Sequence, residues 1–285
     1  MVIYETAPAK LNLSLDVLGK RPDGFHEVEM VMTPIDLTDR IELRLLDHDD
    51  IKVSLDSRYV PEDERNLAYK AAKVLKDKYD VKKGVHITLE KEIPVSAGLG
   101  GGSSDAAAVL RGLNRLWSLY LSLDQLAEIG ATIGSDVPFC VYNKTAFARG
   151  RGEKLSFLPS PPLSWVVLAK PNIGVSTKDV FQSIKLDGVE RPDTKGVIHA
   201  LETGDFDLFC KSAGNSLEET TFSLYPEVRR IKEKMLSLGS PLAMMSGSGP
   251  TVYGMFKKER TAKRIYNSLS GFCDEVYIVR TLRIS

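Results

Sequence analysis

The sequence predicts an α+β fold, because strand patterns and helix patterns both occur but do not alternate regularly along the chain. Residues 9–17 alternate apolar and polar side chains, the period of a strand with one buried face. Residues 66–80 and 106–117 repeat apolar side chains at three- and four-residue steps, which indicates amphipathic helices. With 285 residues, the chain is long for a single core, so two domains are expected.

The other elements are predicted from the same two periods. In the first half of the chain they are strands at 26–37 and 39–46, a strand at 85–94 and a helix at 122–134. Ser122 and Gln125 have the spacing of a capping box, which supports the start of that helix. In the second half they are a strand at 165–171, a helix at 176–185, mostly helix at 196–239, two strands around a Gly-Ser turn at 241–256, a helix at 258–270 and a strand at 275–283.

The proline-rich segment PSPPLS, residues 159–164, indicates the domain boundary. We therefore expect an N-terminal domain at 1–158 and a C-terminal domain at 159–285.

Composition excludes several classes of function. The net charge is zero and like charges form no block, so a broad nucleic-acid-binding face is not expected. The three cysteines lie far apart without metal-ligand spacing, which favours a reducing, cytoplasmic location over a disulfide framework. The N-terminus has no signal-peptide pattern and no apolar run approaches membrane-spanning length, so no membrane association is expected.

The segment PVSAGLGGGSSD, residues 94–105, is the strongest local signal. Its glycines let backbone N–H groups approach an anion, and the N-terminus of the following helix adds partial positive charge. Ser103 and Ser104 are candidates to cap that helix or to bind phosphate oxygens. The segment lacks the Gly-Lys-Ser/Thr ending of a Walker A loop and the spacing of a dinucleotide-binding loop. The alternative is a flexible connector followed by a helix cap.

Four weaker signals accompany the loop, each with a structural alternative. Lys10 and Asn12 point to one polar face of the first strand, which an exposed edge strand would also present. Asp136 in IGSDVPF suits a helix cap as well as a catalytic carboxylate. His26 has no His or Cys neighbour to form a metal site, and a solvated ring is its alternative role. SGSGPTV, residues 246–252, suits a simple hairpin turn.

Taken in their order along the chain, these segments resemble the motifs of the GHMP kinase superfamily. The resemblance is carried by PAKLNLSLDV, PVSAGLGGGSSDAA and MSGSGPTV. RPDGFHEVEMVM, IGSDVPFCV and GRGEK extend it, nearly end to end, to the branch that phosphorylates 4-diphosphocytidyl-2-C-methyl-D-erythritol. Typical members of that branch have Tyr where Phe25 stands, so here the ring is kept and the hydroxyl is lost.

The resemblance implies a fold and a reaction. The N-terminal domain would resemble domain 2 of ribosomal protein S5, and the C-terminal domain would be ferredoxin-like. The enzyme would transfer the γ-phosphoryl group of ATP, with Mg²⁺, to the tertiary 2-hydroxyl of the cytidine diphosphate-linked methylerythritol in the non-mevalonate isoprenoid pathway. It would act as a monomer or weak homodimer on this small molecule. The resemblance assigns no metal ligand.

The resemblance also implies roles for individual residues. Asp136 matches the catalytic base and Lys10 the catalytic lysine, which would stabilise developing charge. The residues implied in ATP binding are Pro94, Val95, Ser96, Ala97, Gly98, Leu99, Gly100, Gly101, Gly102, Ser103 and Ser104.

The residues implied in substrate binding are Asn12, Phe25, His26, Thr177 and Phe181. Phe25 and Phe181 would stack on the cytosine while His26 reads its polar edge. The alternative for Phe181 is a core position at helical spacing from Ile184.

Three competing functions have sequence features that weigh against them. The aromatic–His pair at 25–26 suits a nucleobase, and it suits mevalonate or homoserine less well, which disfavours a GHMP kinase for another small alcohol. A non-catalytic binding protein of this fold would be expected to lose Asp136 or the loop glycines, and both are present. An RNA-binding module conflicts with the zero net charge.

Overall fold

The computed structural model describes residues 1–56 and 60–283. In chain order the elements are β1 (Val2–Lys20), β2 (His26–Leu46), β3 (Ile51–Leu55), α1 (Leu67–Lys78), β4 (Gly84–Glu90), α2 (Gly101–Leu116), α3 (Leu123–Ala131), α4 (Val137–Tyr142), β5 (Ala146–Gly150), β6 (Lys154–Phe157), β7 (Trp165–Lys170), α5 (Thr177–Ser183), α6 (Thr194–Thr203), α7 (Phe206–Ser212), α8 (Glu218–Leu224), α9 (Pro226–Ser237), β8 (Met244–Met245), β9 (Val252–Phe256), α10 (Glu259–Ser270) and β10 (Glu275–Arg280).

The chain folds into two compact units that interleave along the sequence. The first unit consists of Met1–Ala9, Leu37–Val95 and Gly100–Asn143, and the second of Lys10–Asp36, Ser96–Leu99 and Lys144–Ser285. The long strands β1 and β2, which pair with each other, contribute residues to both units. The domain boundary expected between residues 158 and 159 stays a prediction.

The first unit packs helices on a small mixed sheet. The second half of β2 pairs antiparallel with β4, and β4 pairs parallel with β3. Helix α1 packs on β3, β4 and α2, while α3 and α4 pack on α2. The core-facing side of α2 is buried and rich in alanine, from Ala106 to Leu113. Small side chains on this face let α2 approach its neighbours closely.

The second unit contains an antiparallel sheet in the order β10-β7-β9-β8. Helices α9 and α10 pack on it, and all residues of β9 are buried. In the same unit the first half of β2 pairs antiparallel with β5, and β5 with β6. The turn between β8 and β9, residues 246–251, carries the glycine-serine motif.

Most predicted elements are confirmed, and so is the α+β class. The capping box at the start of α3 forms as predicted, with Ser122 and Gln125 bonded reciprocally. The strands predicted at 26–37 and 39–46 are one continuous strand, β2. The helix expected after the glycines begins earlier, at Gly101, so the last two glycines and both serines of the loop are helical.

Across the part of the chain that the structure describes, no helix is both long and apolar enough to cross a membrane.

Candidate functional site

Lys10 and Asn12 form a buried polar pair in the second unit. Lys10 is 4% exposed and Asn12 is fully buried, and Lys10 Nζ donates to Asn12 Oδ1 at 2.6 Å. Asn12 in turn donates through Nδ2 to Met30 Sδ at 3.1 Å. The prediction that the two side chains share a face is therefore confirmed, whereas the alternative of a solvated edge strand is wrong. A buried ammonium needs such partners, because burying a charge without them is costly.

The first part of the glycine loop packs directly on the turn of residues 246–249. Gly98 has φ +74°, and an ideal Cβ there would lie 2.2 Å from the carbonyl oxygen of Ser246. Ser246 Oγ donates to the Gly98 carbonyl at 3.0 Å, and the Lys10 backbone N–H donates to the Leu99 carbonyl at 2.9 Å. Gly98 is therefore required for backbone conformation and for close approach.

The same turn also lies beside Lys10. An ideal Cβ on Gly247 would be 3.4 Å from Lys10 Nζ and 3.5 Å from Asn12 Oδ1. Asn215 holds the turn from the other direction, donating through Nδ2 to the Met245 and Gly247 carbonyls at 2.9 and 2.7 Å. The three motifs that carry the family resemblance, far apart in sequence, thus meet in this unit through residues 10–12, 98–99 and 246–249.

The aromatic residues predicted to bind the substrate are only partly brought together. The rings of His26 and Phe181 are tilted at 41° with centroids 5.3 Å apart. Phe181 is half-buried, so the alternative of a core position is wrong. Phe25 is 51% exposed and stacks instead under Arg151, whose guanidinium carbon lies 4.7 Å from the ring centroid.

The surroundings of His26 favour the neutral form of its ring. Burial, followed by the charge of Lys20, lowers the pKa of His26 below its ordinary value. A neutral imidazole offers one N–H donor and one acceptor nitrogen, which suits the recognition of a polar base edge.

Thr177 and Ser248 join the helix α5 to the glycine-serine turn. Their hydroxyl oxygens are 2.8 Å apart, and Ser248 is buried. Sequence reasoning singled out Thr177 but missed Ser248, Asn215 and Arg151. Ser248 and Arg151 lie inside the motifs SGSGPTV and GRGEK, whereas Asn215 lies in a mostly helical tract that carries no signal for this contact.

In the first unit, the N-terminal end of α2 is open. Gly100 occupies the N-cap position with φ 71°, and no side chain caps the helix. Of the two roles considered for Ser103 and Ser104, that of helix cap is wrong, because both lie inside the helix. Ser104 is buried and donates to the Pro8 carbonyl at 2.7 Å. Gly102 is exposed on the first turn. Uncapped N–H groups and the helix dipole make this end a suitable place for an anion.

Asp136 lies at the start of α4, beside the same helix end. It occupies the N-cap position, but its carboxylate makes no capping hydrogen bond. Asp136 therefore has the position of the alternative helix cap but not its hydrogen bond. An ideal Cβ on Gly134 would be 3.8 Å from Ser103 Oγ, so the segment leading to Asp136 lies against the first turn of α2.

Comparison with known proteins places the chain in a family. Residues 66–144 match the GHMP kinases N-terminal domain, and residues 197–275 match the GHMP kinases C-terminal domain. The 4-diphosphocytidyl-2-C-methyl-D-erythritol kinase of Bacillus subtilis (strain 168) is 60% identical over 282 residues, covering 99% of this chain and 98% of that protein. The chain belongs to the GHMP kinase family. It is therefore an ATP-dependent kinase that acts on a small molecule.

Solved structures of other GHMP kinases share the fold. A crystal structure of 4-(cytidine 5′-diphospho)-2C-methyl-D-erythritol kinase has 32% identity and a TM-score of 0.84, covering 99% of this chain and 100% of that one. Homoserine kinase from Cytophaga hutchinsonii ATCC 33406 has 20% identity and a TM-score of 0.77, covering 97% of this chain and 94% of that one, and shows the fold alone.

Two substitutions within the loop separate its structural and exposed glycines. Gly98→Ala places a Cβ against the Ser246 carbonyl at positive φ and should lower the free energy of unfolding by about 2 kcal/mol or more. Gly102→Ala meets only Leu67 Cδ1 at 3.6 Å and should change it by about 0.5 kcal/mol or less. Urea denaturation followed by circular dichroism measures both. If the two variants lost the same free energy of unfolding, the packing of Gly98 on the turn would be contradicted.

Proposed function

We propose that this GHMP kinase transfers the γ-phosphoryl group of ATP to the 2-hydroxyl of 4-diphosphocytidyl-2-C-methyl-D-erythritol, a step of the non-mevalonate isoprenoid pathway. The observation that carries the proposal is the 60% identity, over essentially the whole chain, to the Bacillus subtilis protein of that name. The homoserine kinase match at 20% identity supports no acceptor, because at that distance likeness shows the fold alone.

For Lys10, the proposed role is to stabilise negative charge on the transferring phosphoryl group. Phosphoryl transfer depends on positioned positive charge more than on covalent chemistry. The Asn12 bond at 2.6 Å and the surrounding turn hold the ammonium in one place, which reduces the reorganisation needed in the transition state. Asn12 would act with it as a substrate-lining residue.

Asp136 is the proposed proton acceptor for the substrate hydroxyl. A tertiary alcohol is a crowded nucleophile, so a positioned carboxylate helps to remove its proton as the bond to phosphorus forms. Asp136 stands at the N-cap of α4, and its carboxylate makes no capping hydrogen bond there. The short turn from Gly134 to Val137, closed by a 3.1 Å backbone hydrogen bond, fixes its position beside α2.

Residues 94–104 are the proposed binding segment for the phosphates of ATP. The backbone N–H groups of the first turn of α2 would donate to phosphate oxygens, and Gly102 leaves room for their approach.

Mg²⁺ is expected to arrive with ATP. Among the described residues, no group of three or more His, Cys, Asp or Glu side chains could hold a metal ion. In this proposal the ion is therefore held mainly by phosphate oxygens and water, as is common for Mg²⁺ with nucleotides. Bound there, it would neutralise phosphate charge.

The cytidine end is the proposed ligand of His26, Phe25, Phe181 and Thr177. Stacking on an aromatic ring tolerates any base, so the choice of cytosine falls to hydrogen bonds. The neutral His26 ring, held against Phe181, offers a donor and an acceptor for the base edge. We also propose a cytoplasmic location and a monomer or weak homodimer.

A panel of acceptors tests the proposed reaction. Purified protein with Mg²⁺ and ATP is assayed for ADP release with the cytidine diphosphate-linked methylerythritol, mevalonate and homoserine. We expect turnover with the first compound at a kcat/KM at least about 100-fold above the other two. Comparable turnover of mevalonate or homoserine would reject the assigned acceptor and leave a GHMP kinase for another alcohol.

Asp136→Asn keeps the shape of the side chain and removes its basicity. We expect kcat to fall by about 100-fold or more, with KM for ATP little changed, because the proton acceptor is lost and the phosphate-binding segment is kept. Steady-state kinetics measures this. Asp205→Asn is the matched control: it makes the same change at an N-cap aspartate whose carboxylate does cap its helix, α7, and kcat should not change. Near-normal turnover of Asp136→Asn would remove it as the base.

His26→Ala tests the recognition of the base. We expect kcat/KM for the cytidine substrate to fall about tenfold or more, because a buried polar edge loses its partner, and preference over the uridine analogue to weaken. KM for ATP should stay nearly constant. His199→Ala, at an exposed histidine on α6, is the control and should have no effect. A His26→Ala enzyme that still prefers cytidine as strongly as the parent would show that other groups read the base.

A further inference from the structure

Two aspartates and one lysine form a buried charged cluster in the first unit. Lys91 Nζ donates to Asp39 Oδ2 at 2.5 Å and to Asp105 Oδ2 at 2.6 Å. The side chains are almost completely buried, at 8% exposure for Lys91, 0% for Asp39 and 4% for Asp105. The proposed reaction assigns no role to any of them.

The cluster lies directly behind the phosphate-binding segment. Asp39 Oδ1 accepts the backbone N–H groups of Glu92 and Ile93, at 2.6 and 2.8 Å, which fixes the chain as it enters that segment. An ideal Cβ on Gly101 would be 3.5 Å from Lys91 Nζ. Asp105 follows on the second turn of α2. The charge of this cluster therefore acts on the helix end at which the phosphates are proposed to bind.

The cluster contains two acidic side chains and only one basic side chain. With both aspartates ionised its net charge is −1, which opposes the binding of a phosphate. Asp105 Oδ1 is buried and has no hydrogen-bond partner, an arrangement that penalises the ionised form. Burial raises the pKa of Asp105 to about 7; the nearby Lys91 opposes this, and the nearby Asp39 adds to it. Burial also acts to lower the pKa of Lys91, but the two carboxylates outweigh it and the pKa is raised, so the lysine stays charged.

The neighbouring elements add little charge around Asp105. Helices α1, α3 and α4 pack on α2, and the ionisable groups among their buried side chains are Lys76 and Cys140. Lys76 is committed to the Val81 and Lys83 carbonyls. On α2 itself, Arg111 is bonded to Glu5. The charges that act most strongly on Asp105 are therefore those of Lys91 and Asp39.

We propose that Asp105 is a positioning residue that takes up a proton when nucleotide phosphates bind at the N-terminal end of α2, and that the charge of the cluster thereby sets nucleotide affinity. The inference rests on the proposed binding of the phosphates at this helix end. The proton comes from solvent and adds to the Asp105 carboxylate; the carboxyl O–H then faces Asp39, which lies within hydrogen-bonding reach. The cluster becomes neutral as the anion arrives.

The direction of the pH dependence follows from linkage. Bound phosphates disfavour the ionised carboxylate, so the pKa of Asp105 is higher in the complex than in the free protein. Between those two pKa values the free protein must gain a proton to bind, and nucleotide affinity falls as pH rises. Below the pKa of the free protein the effect disappears. A difference of one pKa unit corresponds to about a tenfold change in affinity.

Calorimetric titration with ADP and Mg²⁺, in buffers of different ionisation enthalpy, measures the protons taken up. Near pH 7.5 we expect the parent protein to take up roughly half a proton or more beyond that of Asp105→Asn, which mimics the neutral carboxyl. The affinity of Asp105→Asn should exceed that of the parent by about tenfold near pH 8.5 and match it near pH 6. ADP itself exchanges protons in this pH range. The test is therefore the difference in proton uptake between the parent protein and Asp105→Asn.

Asp77→Asn is the control, because this aspartate also pairs with a lysine, Lys73, but is exposed on α1. It should behave like the parent. The proposal would be overturned if the ADP affinities of the parent and of Asp105→Asn changed with pH in parallel and both proteins took up the same number of protons. If Asp105→Asn does not fold, the parent protein alone provides the test. The proposal is then overturned if the parent takes up no protons beyond those that the known ionisation of ADP accounts for. No acceptor is present in these titrations, so the result is separate from the identity of the phosphorylated alcohol.

Discussion

The close approach of Gly98 to the backbone of the 246–249 turn is the constraint on which the conformation of the glycine loop depends. No side chain fits at a distance of 2.2 Å from the Ser246 carbonyl oxygen, so the two backbones are in direct contact. The Ser246–Gly98 and Lys10–Leu99 hydrogen bonds hold the segment just before the chain enters α2. The helix itself begins without a side-chain cap.

The polar groups around this segment are buried but bonded. Lys10 is held by Asn12, and Asn215 binds the turn carbonyls. Such a network restricts motion, because each side chain that leaves its position leaves a buried group without a partner. The same reasoning supports the proposed role of Lys10, a lysine on a strand, in place of the lysine that a Walker A loop carries within the loop itself.

The Asp39–Lys91–Asp105 cluster places charge behind the loop instead of in front of it. Its lysine joins β2 to α2 and to the chain that enters the loop, which makes it a structural link. Its second carboxylate is in excess of what a structural ion pair requires. A group of this kind ties the affinity of a helix N-terminus to proton concentration without touching the ligand.

Periodicity and sequence motifs were sufficient to predict the element types, the capping box of α3 and the family. The element types and the capping box depend on residues a few positions apart, whose geometry the backbone determines, and the family on the order of short motifs. Only the tertiary structure decided that Lys10 is buried, that α2 begins within the glycines, that Gly98 contacts a turn nearly 150 residues away and that Lys91 bridges two aspartates. Those outcomes depend on which distant segments pack together, because burial and long-range hydrogen bonds are set by the assembled core and leave no periodic trace in the sequence.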